Sequence, residues 1–210
     1  MLTDTAAAIP GSLLFHHDEA DASHERWCFG PAGLAARAAV ERFIAAGFLK
    51  AYGAHLTEFM PELMVLHDHG ELAAACGLRP AAGSTLFLEQ YLDRPAETLL
   101  GSTTGTNIAR RHIVEVGNLS ILRAGYARHF VIRLTRHLRS IGMQWTLFSA
   151  VPALRNNFSR LGIPMVTLAP ADPSRLDSAI RSEWGSYYDQ RPLVTAVHVD
   201  TAFDALRAMP

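Results

Sequence analysis

The stretch Ile113-Val-Glu-Val-Gly-Asn-Leu-Ser-Ile121, followed by Leu122-Arg-Ala-Gly-Tyr-Ala127, decides how this chain folds. The first part is β-branched and apolar, interrupted by Glu115, Gly117 and Asn118, which predicts a buried strand with a bulge or splay at Gly117. Beyond the turn, Ala127, Phe130, Val131, Leu134, Leu138 and Ile141 recur at helical spacing and stop at Gly142. Met143-Gln-Trp-Thr-Leu-Phe-Ser-Ala150 then reads as a second strand, and Pro152 suits the first turn of a helix that ends at Leu161-Gly162. The N–H groups and positive end of the first helix face the C-terminal end of the first strand, an arrangement suited to a phosphate.

Charge marks the same region. Between residues 116 and 171 there is no Asp or Glu, whereas arginines stand at 123, 128, 133, 136, 139, 155 and 160. Individually these are solvated helix faces; together they predict a positive surface beside the strand-turn-helix unit.

The 210 residues, 49% of them hydrophobic, suffice for one well-packed core, and a net charge of −1 excludes non-specific nucleic-acid binding as the chain's business. Cys28 and Cys76 make neither a disulfide framework nor a metal or redox motif, which points to a reducing compartment. The N-terminal ten residues carry an acid and no base, unlike a secretory signal, and no window matches a spanning helix, so a cytoplasmic location is expected.

Residues 1–30 read as an irregular arm, with a first strand around 13–15, and residues 31–210 as one domain. Val40, Phe43, Ile44, Phe48 and Tyr52 mark a long amphipathic helix. Two apolar runs, 63–67 and 71–78, flank Asp68-His-Gly70 as a hairpin. Residues 85–90 read as a further strand, 100–107 as a flexible loop and 193–199 as the last strand. The sum is an α/β (α+β) fold with a mixed, largely antiparallel sheet flanked by helices.

Several motifs resemble the bacterial thermostable hemolysin family: Arg42-Phe43, Tyr52-Gly-Ala54, Phe59-Met-Pro-Glu-Leu63, Leu86-Phe-Leu-Glu-Gln-Tyr-Leu-Asp93, Glu97, Val114-Glu-Val-Gly-Asn-Leu119, Leu154-Arg-Asn-Asn-Phe158 and Trp184-Gly-Ser-Tyr-Tyr188. The layout also resembles the Gcn5-related N-acyltransferase (GNAT) fold and, through Ala75-Cys-Gly-Leu-Arg-Pro80 and residues 113–141, the acyl-homoserine-lactone synthases. This likeness implies transfer of an acyl group from acyl-coenzyme A, or from the phosphopantetheine of an acidic acyl carrier protein, to a small-molecule acceptor, with no tightly bound cofactor. The acyltransferase turn usually has Gln or Arg three residues before its first glycine. Leu122 stands there instead, which weakens the case for coenzyme A and favours a carrier protein.

Acyl transfer needs a base for the acceptor, donors for the developing oxyanion and a proton for the departing thiolate. Glu115, or else Glu89, is the expected base; the alternative reading pairs the first with Arg110 or Arg111 and the second with Arg79. Tyr187 is the expected acid. Asn118, Leu119, Ile121, the turn residues Arg123, Gly125, Tyr126 and Ala127, and Asn156 and Asn157 are expected to hold the donor. Arg79, Trp184 and Tyr188 are expected at the acceptor. The ten histidines lack metal-site spacing, and there is no Gly-x-Ser-x-Gly elbow, so neither a metal nor a serine lipase is expected. The rival readings are a membrane-active protein and an acyl-binding protein without turnover.

Overall fold

A computed structural model describes residues 26–208; the strand expected around residues 13–15 lies outside them. The elements are β1 (Trp27–Pro31), α1 (Arg37–Tyr52), β2 (Glu62–Asp68), β3 (Glu71–Pro80), α2 (Ala96–Thr104), β4 (Ile113–Ile121), α3 (Tyr126–Ser140), β5 (Trp145–Ala150), α4 (Pro152–Arg160), β6 (Val166–Pro170), α5 (Ser178–Glu183), β7 (Leu193–His198) and α6 (Val199–Arg207). β1 begins inside the segment expected as an arm, and its whole length pairs with β2.

One seven-stranded sheet runs β1-β2-β3-β4-β5-β7-β6, antiparallel throughout except where β4 and β5 lie parallel. Strand periodicity sends alternate residues to opposite faces. On β2, Met64 and Leu66 pack with Phe130 and Leu138 of α3, whereas Leu63 and Val65 pack with Val40, Ile44 and Phe48 of α1. On β5, Phe148 packs with Leu206 of α6 and Leu147 with Leu100 of α2. The core is therefore two layers of side chains, one on each face of the sheet.

Two expected elements differ. Residues 85–90 do not form a strand: Phe87–Tyr91 is a short 3-10 helix. The reason is electrostatic, because carboxylates take the backbone donors that a neighbouring strand would need. The N–H groups of Phe87 and Leu88 donate to Glu115 at 2.8 and 3.0 Å, and that of Leu86 donates to Glu89 at 3.0 Å. The expected loop at 100–107 is mostly α2, in which the Thr103 and Thr104 hydroxyls donate back to Leu99 and Leu100 carbonyls while Leu100 is buried.

Residues 53–61 form a strap that crosses the sheet. Arg37 fixes it by donating to the carbonyls of Met60 and Pro61, and the His55 N–H donates to the Glu183 carbonyl at 2.6 Å. Gly77 and Gly117 lie opposite one another on β3 and β4, and Met60 fills the notch between them. A Cβ on Gly77 would run into the Met60 Cβ, and one on Gly117 into its Cε. Gly185 is equally constrained: its φ is +49° and a Cβ there would strike the Tyr52 carbonyl oxygen.

Candidate functional site

The parallel pairing of β4 and β5 stops after Glu115↔Leu147, although both strands continue. On β4 the register to β3 also slips, with Asn118 and Leu119 opposite Cys76, so the bulge sits one residue beyond the glycine that signals it. Asn118 takes up the strain with φ of +52°, a conformation asparagine tolerates better than most residues. The strands splay, and a cavity of about 290 Å³ opens between them.

Its walls come from both faces of the sheet, so the cavity passes through the splay. On one side are Phe130, Leu134 and Leu138 of α3; on the other are Phe48 and Tyr52 of α1, the strap residues Phe59 and Met60, and Trp184. Beyond the last paired residues, 116–119 of β4 and Phe148, Ser149 and Val151 line the gap. An apolar enclosure with a few convergent polar groups is the usual form of a small-molecule site.

Glu115 is the polar centre. It is 1% exposed, and its carboxylate accepts the two N–H groups at the start of the short helix. Burial pushes its pKa up to about 7, and the two N–H donors and the nearby Arg79 charge offset only part of that rise. Its partners are thus backbone groups rather than Arg110 or Arg111. Arg79 stands opposite it in the β3–β4 register and also lines the cavity.

Asn118 accepts the Met60 N–H on its Oδ1 at 3.0 Å, and its Nδ2 has no partner among the described residues. The Tyr187 hydroxyl lies 2.7 Å from Ser149 Oγ, and the Tyr91 and Tyr188 hydroxyls lie 2.5 Å apart. Burial raises the pKa of all three phenols, Tyr188 to about 12.

A family model described as thermostable hemolysin matches residues 31–203. The chain belongs to the thermostable hemolysin family. No curated protein matches its sequence. Among solved structures, FeeM, an N-acyl amino acid synthase from uncultured soil microbes, is similar with a TM-score of 0.62 at 13% identity, over 88% of this chain and 99% of that one. TofI in a ternary complex with an inhibitor and MTA gives 0.58 at 16% identity, over 88% and 98%. The AHL synthase LasI gives 0.56 at 12% identity, over 86% and 93%. At such identities the likeness is one of fold, and the chain has the expected GNAT-like fold.

Within the family member's cavity, the fold brings together Glu115, Asn118, Leu119, Arg79, Trp184, Tyr187 and Tyr188 from the sequence-derived set. It does not bring in Glu89, whose carboxylate accepts from both Nη atoms of Arg110 and from the N–H groups of Leu86 and Ala96. Its expected alternative partner, Arg79, is replaced by Arg110. Chiefly through Arg110, the Glu89 pKa falls to about 2, too low for a base. Ile121, Arg123, Gly125, Tyr126 and Ala127 lie at the far end of β4, outside the cavity lining, as do Asn156 and Asn157 on α4. In the turn, the N–H groups of Tyr126 and Ala127 already donate to Arg123 and Ala124 carbonyls, and the Tyr126 hydroxyl donates to Asp68. Two basic-stretch arginines serve the fold itself: Arg139 pairs with Asp200 and Arg155 donates to the Ala150 carbonyl. Sequence reasoning gave no role to Met60, Tyr91 or Ser149; Phe59-Met60-Pro61 carried the family resemblance, which was the available signal.

Proposed function

We propose that this chain is an acyltransferase that moves an acyl group from a thioester to an amine or hydroxyl of a small-molecule acceptor. The observation that carries this reading is the splay between β4 and β5, filled by an apolar cavity with the buried Glu115 carboxylate on its wall. The acyl chain lies against Phe130, Leu134 and Leu138, and the thioester carbonyl sits at the splay. The Asn118 Nδ2 donates to the carbonyl oxygen as it gains negative charge. Glu115, poised near neutrality, takes the proton of the attacking group.

The acceptor's N–C or O–C bond forms as the C–S bond breaks, and the departing thiolate collects a proton. Protonated Glu115 is a stronger acid than Tyr187, whose pKa burial raises, so Tyr187 orients through its hydroxyl and Glu115 returns the proton. Attack is direct. Ser149 is bonded to a phenol rather than to a base, and Cys76 is buried with its thiol pKa raised.

Acyl-coenzyme A or an acyl carrier protein supplies the thioester, with phosphate held outside the cavity near the exposed Arg123 turn and Arg128. Both donors place the reaction in the cytoplasm. Among the described residues no helix is long and apolar enough to cross a membrane, and the apolar stripe of α3 packs beneath the sheet. The test is purified protein with acyl-coenzyme A and acyl-carrier-protein panels and pooled amines and alcohols, read by mass spectrometry. Acylated products support the reading; intact thioesters in every mixture overturn it.

A further inference from the structure

Several arginines in this fold have defined structural work. Arg110 holds Glu89 and Glu97, Arg175 holds Asp93, and Arg37 holds Glu41 and two strap carbonyls. Arg79 differs. It lines the cavity and has no hydrogen-bond or ion-pair partner among the described residues, and its charge acts on Glu115. It is also the only basic side chain among the described residues that line the cavity. Arg79 and Glu115 are register partners on adjacent antiparallel strands, so both side chains leave the same face of the sheet.

A guanidinium beside an apolar cavity without a protein partner calls for an anionic group. The other charged lining residues are acids: Glu115, and Glu58 and Glu183, of which Glu183 accepts the Thr57 hydroxyl. A simple alcohol would leave the guanidinium unsatisfied, and a polyamine would be repelled by it. We infer that the acceptor is a zwitterion of the α-amino acid class, its carboxylate on Arg79 and its ammonium directed to Glu115, an inference that rests on the acyl-transfer reading above. Trp184, Tyr52 and Phe87 line the same cavity and suit an apolar or aromatic side chain on that acceptor.

The chemistry balances without a further reactant. The ammonium loses one proton to Glu115, the amine nitrogen bonds to the thioester carbon, and the C–S bond breaks. The nitrogen's second proton is released as the amide forms, so that one proton ends on the thiol and one in solvent. The positive charge of the acceptor disappears and its carboxylate remains, so the product is an anionic N-acyl amphiphile.

The experiment uses the full chain and three matched probes: phenylalanine, its carboxamide, and phenethylamine. Binding is measured by calorimetry in the presence of a non-hydrolysable dodecyl thioether of coenzyme A or of carrier-protein phosphopantetheine, with acylation of the same probes by dodecanoyl-coenzyme A and by dodecanoyl carrier protein followed in parallel. Phenylalanine is expected to bind about tenfold or more tighter than its carboxamide, and Arg79→Gln to abolish that preference without weakening phenethylamine. Arg79→Lys retains part of the preference, which separates charge recognition from damage to the fold. Equal binding of acid and carboxamide, absence of phenylalanine binding, or a preference that survives in Arg79→Gln overturns the inference. Acylation of phenethylamine as fast as phenylalanine overturns the acceptor class but leaves acyl transfer standing; Arg79-dependent binding of phenylalanine with no thioester consumed upholds the site and sinks acyl transfer.

Discussion

The backbone N–H of Met60 donates to the Oδ1 of Asn118 at 3.0 Å, tying the strap over the sheet to the bulge that opens it. One amide thus does two things: its oxygen locks the strap and its nitrogen is left for the cavity. Asn118→Gly keeps the left-handed backbone available and removes both. The expected result is a loss of about 10²-fold in kcat, the cost of one oxyanion donor, with a modest fall in Tm from the lost strap bond. Steady-state kinetics and a thermal melt check it.

Glu115 gives a pH signature in two measurements. Its pKa is raised to about 7 by burial, so the folded chain holds the proton after the unfolded chain has released it. Stability therefore falls as pH rises from about 4.5 to about 7, the window between the unfolded and folded values. Acyl transfer, which needs the carboxylate, rises across the same folded pKa. Glu115→Gln removes this component of the stability fall and costs about 10²-fold to 10⁴-fold in rate. Melts and rates across pH 4 to 9 report both.

Glu89 behaves in the opposite sense. Its pKa is lowered to about 2, first of all by hydrogen bonds from Arg110, so its stabilising effect is complete above the unfolded value near 4.5 and is lost as pH falls towards 2. Glu89→Gln leaves Arg110 with Glu97 as its remaining acid and is expected to destabilise by about 2 kcal/mol. Below the melting point kcat/KM should stay within a few-fold of the parent. A denaturant titration and a rate measurement at low temperature separate the two effects.

Much of this was legible in the sequence. The β-branched run at 113–121 and the apolar spacing of 127–141 were strong local signals, and they correspond to β4 and α3. Glu115 and Asn118 stood out because polar side chains in an apolar strand must find partners. The short helix at Phe87–Tyr91 was hidden because its apolar residues satisfy a strand pattern, and what bends them is a pair of carboxylates, one of them 27 and 28 residues away from the N–H groups it holds. α2 was masked by its Ser and Thr residues, which favour loops until their hydroxyls turn back on the helix. Arg110 as the partner of Glu89 depended on a loop closure of 21 residues that no periodicity encodes.

The family's description as thermostable hemolysin also has a chemical test. An anionic N-acyl amphiphile disrupts bilayers, and unlike a folded protein it survives boiling. Reaction mixtures that are boiled and freed of protein are expected to release dye from liposomes, whereas the protein without thioester and acceptor is not. Dye release by the protein alone, lost on boiling, would place lysis in the chain itself.

The most direct measurement is release of free thiol from acyl-coenzyme A or acyl carrier protein by the purified chain, matched mole for mole to acylated acceptor, in the parent and in Glu115→Gln. Acceptor-dependent thiol release is expected in the parent, with a fall of about 10²-fold or more in a variant that still folds. Thiol release at the same rate in both would contradict it.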